Sequence, residues 1–254
     1  MKRILFFIAA GLMISSLNSY GQKGKEIIFG AGGAITSVWI QNQNFYGEPE
    51  IDYAPKMGYA FSFNFGYNFT PHISAIGEFQ YSGQGQKYDG KQNISGTKYD
   101  TKRDISLQYF NIPVFFKYSF GSGGTKFRFM LGPQFSFLNS ATQTYTRGGK
   151  VLGTEKTDLN GKVFKTDAEN IKDRFINSDI SIAFDIGADI YLSKKFFINA
   201  GFRANYGFKD INEEAYRLND LDGEYSPSHN VWAGLYVGIN YMLDVQGYSQ
   251  RSFE

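Results

Sequence analysis

The segment Tyr59-Ala60-Phe61-Ser62-Phe63-Asn64-Phe65-Gly66-Tyr67-Asn68-Phe69 decides the fold class: every odd position carries an aromatic ring, every even position a small or polar residue. Side chains of a β-strand leave alternate faces, so a period of two describes a strand with two unlike surfaces. The same alternation returns at Phe127, Phe129, Leu131, Phe135 and Phe137, then at Ile180, Ile182, Phe184, Ile186 and Ile190. It recurs at Phe196, Ile198, Phe202, Tyr206 and Phe208, and at Val231, Leu235, Val237, Ile239 and Tyr241. Less regular strands cover 27–40, 73–84 and 105–118, which makes eight in all.

Alternation alone does not say which face looks inward, because a soluble sandwich or closed barrel also alternates. The polar face decides it. A strand face turned to bulk water is rich in Lys, Glu and Thr, whereas here it is Gly, Ala, Ser and Asn with a few charges of both signs. Small residues suit a narrow lumen, and Phe, Ile and Tyr suit lipid. The reading is an all-β chain folded as an eight-stranded antiparallel up-and-down transmembrane β-barrel.

The connections test this independently, since such barrels alternate short turns at one end with long loops at the other. The chain runs long at 41–56, tight at Thr70-Pro71, long from Gln86 to Arg103 and short around Gly121 to Gly124. It then runs long from Ser140 to Phe175, tight at Ser193-Lys194-Lys195, and long from Asp210 to Ser228. The turn signal Arg147-Gly148-Gly149-Lys150 leaves a ten-strand alternative, but its Thr-rich, charged flanks favour strand extensions above the membrane. On this pattern the long loops face the cell exterior and the short turns the periplasm.

At the N-terminus Lys2 and Arg3 precede the apolar run Ile4 to Ile14, followed by Ser19 and Gly21, which is the layout of a cleavable signal peptide over 1–21 ahead of a barrel domain over 22–254. Export to the outer membrane is the implied destination. Removing Lys2 and Arg3 brings the 26 basic residues level with the 24 acidic ones, so nothing favours a nucleic-acid partner. With no cysteine there is no disulfide, thiolate-held metal or thiol nucleophile. Aromatic residues reach 18% while mean hydropathy stays below zero, which speaks against helical membrane spans.

Three stretches carry a family likeness: Gly30-Ala31-Gly32-Gly33-Ala34, Glu78-Phe79-Gln80-Tyr81-Ser82-Gly83-Gln84-Gly85, and Tyr109-Phe110-Asn111-Ile112-Pro113-Val114-Phe115-Phe116-Lys117-Tyr118, the last followed by Leu131-Gly132-Pro133. In these the chain resembles the PorT-like outer-membrane β-barrel proteins of Bacteroidetes. The resemblance implies the barrel and the outer membrane. It offers an accessory role in protein export, acting through the short turns and the tail 244–254, as an alternative function, though a fold alone does not transfer a role. Asn111 stands where such proteins often carry Glu.

Motifs for chemistry are sparse. Gly30 and Gly32 precede β-branched residues where a dinucleotide fold needs a helix, so no cofactor is implied. His72 and His229 fall at opposite ends of the barrel, which excludes a two-histidine metal site. His229 with Ser226, Ser228 and the acidic stretch after Asp210 offers a lipid-modifying hydrolase as a minor alternative. Asp220, Asp222 and Glu224 look cation-friendly but lack EF-hand spacing. The inward face collects Glu78, Asp179, Asp185 and Asp189 against Lys117, Arg128 and Arg203, and buried charges must be paired, so a mutually compensating polar network is expected. The turn at Ser193 to Lys195 pairs Leu192 with Phe196 and so sets Asp185 opposite Arg203. The function this favours is a non-catalytic outer-membrane barrel with a filled lumen. Its long loops would touch lipopolysaccharide, other outer-membrane lipids or an outer-membrane protein partner, and a periplasmic protein partner would be met by the short turns.

Overall fold

The computed structural model describes residues 25–42, 51–152, 154–157, 163–166, 169–217, 219 and 223–245. The expected leader 1–21, the acidic residues Asp220 and Asp222 and the tail beyond 245 lie outside the described residues. Eight strands close a ring: β1 (Glu26–Gln41), β2 (Lys56–Asn68), β3 (Ile73–Ile94), β4 (Thr97–Phe120), β5 (Thr125–Arg147), β6 (Ser178–Tyr191), β7 (Phe196–Gly207) and β8 (His229–Asp244). Each pairs antiparallel with its sequence neighbour, and β8 returns to β1 in unbroken register from Glu26↔Asp244 to Gln41↔His229. Closure leaves no edge in the ring, which is what a sheet in lipid requires.

The aromatic face points outward. Phe61, Phe63 and Leu235 are 62%, 72% and 71% exposed, while Ala60, Ser62 and Asn64 between them are buried. On β4 the outward row Phe110, Ile112, Val114, Phe116, Tyr118 and Phe120 is apolar throughout. It spans about 33 Å of strand, or roughly 25 Å along a barrel axis at the usual ~40° tilt, the height of an apolar membrane band.

Local chemistry makes the short turns. The Thr70 hydroxyl accepts from the His72 and Ile73 amides, and the Ser193 hydroxyl from those of Lys195 and Phe196. Leu192 then donates to the Phe196 carbonyl at 2.9 Å, closing the β6–β7 hairpin.

Two long connections differ from the sequence expectation. Gln86 to Arg103 is not a loop: β3 and β4 continue as a paired hairpin to a two-residue turn at Ser95 and Gly96, both with positive φ (49° and 84°). That geometry matches the twist of the flanking strands. The first part of 140–175 is also strand, since β5 runs on to Arg147, turns at Gly148-Gly149 and returns as Lys150–Val151. A separate hairpin pairs Thr154–Thr157 with Val163–Thr166, but it stays outside the ring, so the ten-strand alternative is rejected. The extensions are polar on their outer face because they stand beyond the apolar band. Lys87, Asp89, Lys91 and Lys102 occupy it, in the loose ion pairs Lys87–Asp104, Lys91–Asp100 and Lys102–Asp89.

Candidate functional site: a lumen closed twice

The inward charges are brought together by register. Asp185 and Asp189 lie four apart on one face of β6. Arg203 on β7 pairs directly with Asp185, and Arg128 on β5 pairs with Gly187, midway between the two aspartates. Arg128 therefore reaches both diagonally: its Nε donates to Asp185 Oδ1 at 3.0 Å and its Nη1 to Asp189 Oδ1 at 3.0 Å. Arg203 Nε donates to Asp185 Oδ2 at 3.0 Å, and its Nη1 and Nη2 grip Glu78, across the lumen on β3, at 2.7 and 3.0 Å. Lys117 Nζ completes the chain on Asp189 Oδ2 at 2.5 Å.

The result is an alternating string, Glu78, Arg203, Asp185, Arg128, Asp189, Lys117, whose three anions and three cations cancel. Every side chain in it is at most 3% exposed. The Arg203 guanidinium also lies between the rings of Tyr236 at 3.9 Å and Phe115 at 5.0 Å, and Lys117 stands 5.4 Å from the Phe197 ring. Gly201 makes room, since a Cβ there would come within 3.1 Å of Arg128 Nη2. Beside the string lies a cavity of about 10 Å³, enough for one water.

Asp179 is the residue that does not join. It lies at the top of β6, where Oδ1 accepts from the Lys209 amide at 3.1 Å. Its removal from the count is what balances the network. Four buried charges escaped the sequence reading: Glu26, which accepts from Asn68 at 2.9 Å; Lys126, on the Pro71 carbonyl at 3.1 Å; Arg103, 5.5 Å from the Tyr145 ring; and Lys56, which donates to Asp104 and to the Ile105 carbonyl. All four fall on the buried phase of their strands, so extending the alternation beyond the first-read strand bounds reveals them.

A second closure lies above the network and was not foreseen. Ile171 and Phe175, from the β5–β6 connection, and Ile211, from the β7–β8 connection, turn into the barrel mouth. There they pack on Ile105, Leu107 and Tyr109 of β4 and Leu138 of β5. The two connections are stitched by backbone bonds: Ile176 donates to Ile211 at 2.9 Å and Glu213 to Arg174 at 3.0 Å. The signal was present as apolar residues spaced by four in the charged run Glu169-Asn170-Ile171-Lys172-Asp173-Arg174-Phe175.

The cap is pinned by Asp210, whose Oδ1 accepts from the Ser228 amide at 3.0 Å and whose Oδ2 accepts from the Tyr225 hydroxyl at 2.6 Å. Burial, with that hydrogen bond, pushes the Tyr225 phenol up to about 12.

Among the described residues Ser228 and His229 do not form a hydrolase pair. Ser228 is buried and donates to the Asn42 carbonyl at 3.0 Å, whereas His229, next in the strand, points the other way, stacks on Tyr206 and meets the Lys209 carbonyl. His72 sits at the short-turn end with Nδ1 2.9 Å from the Ser119 carbonyl. Among the described residues no group of three or more His, Asp or Glu is placed to hold a metal ion.

A closed antiparallel ring, apolar outside and polar within, defines the class as a transmembrane β-barrel. Residues 16–213 match the family model described as outer membrane protein beta-barrel domain. The chain belongs to that family, and its location is the outer membrane. No curated protein matches the sequence. Among solved structures it is similar to the attachment invasion locus protein Ail of Yersinia pestis, with 13% identity over 87% of this chain and 100% of that one, TM-score 0.40. Similar in the same way are the Neisserial surface protein A, with 16% identity over 85% and 96%, TM-score 0.39, and OprG from Pseudomonas aeruginosa, with 11% identity over 88% and 98%, TM-score 0.40.

Proposed function

We propose that this barrel is a PorT-like, non-catalytic surface protein whose long-loop end faces the exterior and binds a partner there, either lipopolysaccharide or another outer-membrane protein. One observation carries this reading: the lumen is closed by both an ion-pair string and an apolar cap, while β3, β4 and β5 run to 22, 24 and 23 residues. About 10 residues suffice to cross a membrane. A filled interior leaves no water column for transport, and the separation of Ser228 from His229 supports a role without catalysis. What the fold adds beyond a minimal barrel is a raised, charged sheet.

The test is cross-linking in native outer membranes followed by mass spectrometry. The intact chain is compared with a variant in which 89–102 is replaced by Asn-Gly, joining Tyr88 to Arg103, which are cross-strand partners. The variant should keep its heat-modifiable mobility on gels and lose the cross-linked partner. An unchanged partner set would move the interface to the short-turn side and favour the export-accessory alternative.

A further inference from the structure

At the long-loop end of β7, β8 and β1 the outward apolar rows stop at one level. On β8 the row from Val231 to Tyr241 spans the same length of strand as Phe110 to Phe120 on β4, and Val237 and Ile239 within it are 57% and 54% exposed. The β7 row ends at Phe208, 56% exposed, whose amide donates to the Ile180 carbonyl at 2.8 Å. The β1 row ends at Trp39, which pairs with Val231, as does Tyr206 of β7. The positions that follow are Lys209, His229 and Gln41. A barrel wall passes from hydrocarbon to headgroups where its outward row turns polar, and Trp and Tyr are the rings of that boundary.

His229 is held there in one orientation. Its ring stacks on Tyr206, with centroids 5.6 Å and planes 27° apart, and Nδ1 lies 3.1 Å from the Lys209 carbonyl. A carbonyl only accepts, so Nδ1 carries the proton and Nε2 keeps its lone pair. Among the described residues nothing bonds to Nε2. The Lys209 side chain is exposed and makes no ion pair among those residues; its Nζ reaches only the Ser178 carbonyl, at 3.4 Å, beyond the usual hydrogen-bond range. Asp179, on the inward phase of β6, takes the Lys209 amide and leaves the ammonium to the outside. One residue thus offers a cation through its side chain and, through its carbonyl, fixes an acceptor beside it.

We propose that Lys209 and His229 form a headgroup site for a phosphorylated lipid. The ammonium holds the phosphate, Nε2 accepts from an N–H or O–H of the same headgroup, and an acyl chain lies along Phe208 and Val231. A lysine alone would take any lipid phosphate. The fixed imidazole adds choice, because it rewards a donor next to the phosphate and offers nothing to a headgroup without one. Ethanolamine phospholipids carry that pair of groups, and so do the phosphorylated, N-acylated sugars of lipopolysaccharide. The site lies across the ring from the raised β3–β4 hairpin, so it stands or falls separately from partner binding on that sheet. His72, at the short-turn end, is a natural control: its Nδ1 also meets a carbonyl, but the neighbouring Lys126 is buried and spends its ammonium on the Pro71 carbonyl.

The test is native mass spectrometry of the full barrel in detergent, titrated with phosphatidylethanolamine, phosphatidylcholine and diacylglycerol of the same acyl chains. The first phosphatidylethanolamine should bind about tenfold tighter than phosphatidylcholine, which has the phosphate but no N–H, and phosphatidylcholine about tenfold tighter than diacylglycerol, the range of one hydrogen bond to a fixed partner in each step. His229→Phe, which keeps a ring on Tyr206, should erase the first step. Lys209→Gln should erase the second, and His72→Phe neither; heat-modifiability checks that each variant folds. Displacement of bound phosphatidylethanolamine by lipid A names the glycolipid as occupant, and its retention names the phospholipid. Equal binding of the two phospholipids by the unaltered protein overturns the proposal, because His229 then selects nothing. Loss of the preference in His72→Phe overturns it by moving the site to the other end, and displacement by inorganic phosphate overturns it by showing an anion site without lipid. The ranking in the unaltered protein decides the matter even if no variant folds.

Discussion

Removing Arg203 should expose how the lumen is held. The guanidinium makes both ion-pair bonds received by Glu78 and one of those received by Asp185. Asp185 keeps Arg128, whose Nε and Nη2 lie 3.0 and 2.9 Å from Oδ1. Glu78 is thus the carboxylate that Arg203→Ala strands in a dry interior, at a cost of about 3–5 kcal/mol. Making that residue a neutral amide removes the uncompensated charge, so Arg203→Ala/Glu78→Gln should recover roughly half of the loss. Arg203→Ala/Asp185→Asn should recover little, because it leaves Glu78 stranded and takes a partner from Arg128. Glu78→Gln alone should cost about 1.5–3 kcal/mol, the worth of charge-assisted hydrogen bonds. Equilibrium unfolding in urea from lipid vesicles, read by heat-modifiability and tryptophan fluorescence, gives the four free energies of the cycle. Strict additivity of Arg203→Ala and Glu78→Gln, or better rescue by Asp185→Asn, would refute this account of the string.

Single cysteines at Asn93 and Ser122 test orientation: an impermeant maleimide on intact cells should label the first and spare the second. Purified protein in planar bilayers should give no steady single-channel current, and a discrete conductance would contradict the double closure. Phe175→Ala should cost about 3–5 kcal/mol, the usual loss for a buried ring, if the cap packs as a core, whereas a mobile loop would lose almost nothing. The folded-state pKa of Tyr225 is raised, from about 10 to about 12, so the stability it contributes is present below pH 10 and lost as pH rises towards 12. Protease sensitivity of the β7–β8 connection should therefore rise over that window, and Tyr225→Phe should abolish the dependence.

The lipid-facing half of each strand is readable in the sequence because its two faces meet unlike media at every residue. Tyr59 to Phe69 lies wholly within the apolar band, and its alternation is accordingly unbroken. The segment 105–118 looks irregular for a physical reason. At cap height Ile105, Leu107 and Tyr109 point into an apolar interior while Ser106 and Gln108 point to water; from Phe110 upward in number the outer face becomes the apolar one. The pattern inverts where the strand crosses the membrane boundary, and a single-phase alternation test reads the inversion as noise. Opposite Gln108 and Tyr109 the register shifts at Asn139 of β5, a bulge that changes the inward phase from even positions through Leu138 to odd positions from Ala141. Beyond Ile105 both faces of the β3–β4 hairpin are mostly polar, with Tyr88 the inward exception, so its strands carry little hydropathy signal and look like a loop.

The lumen was half legible by the same logic. Turn length fixes which residues of adjacent strands oppose each other, so Asp185 with Arg203 follows from three residues at Ser193 to Lys195. The Glu78–Arg203 contact spans 125 residues and joins β3 to β7, which share no ladder. It depends on the barrel's diameter, a property of strand number and shear that no local pattern encodes. Eight strands bring opposite walls close enough for one arginine to bridge them. Charge balance in such a lumen is therefore set across the ring as well as along it: Glu78 neutralises a cation that Asp185 must already share with Arg128, and Asp179, at the rim, is left to the Lys209 amide.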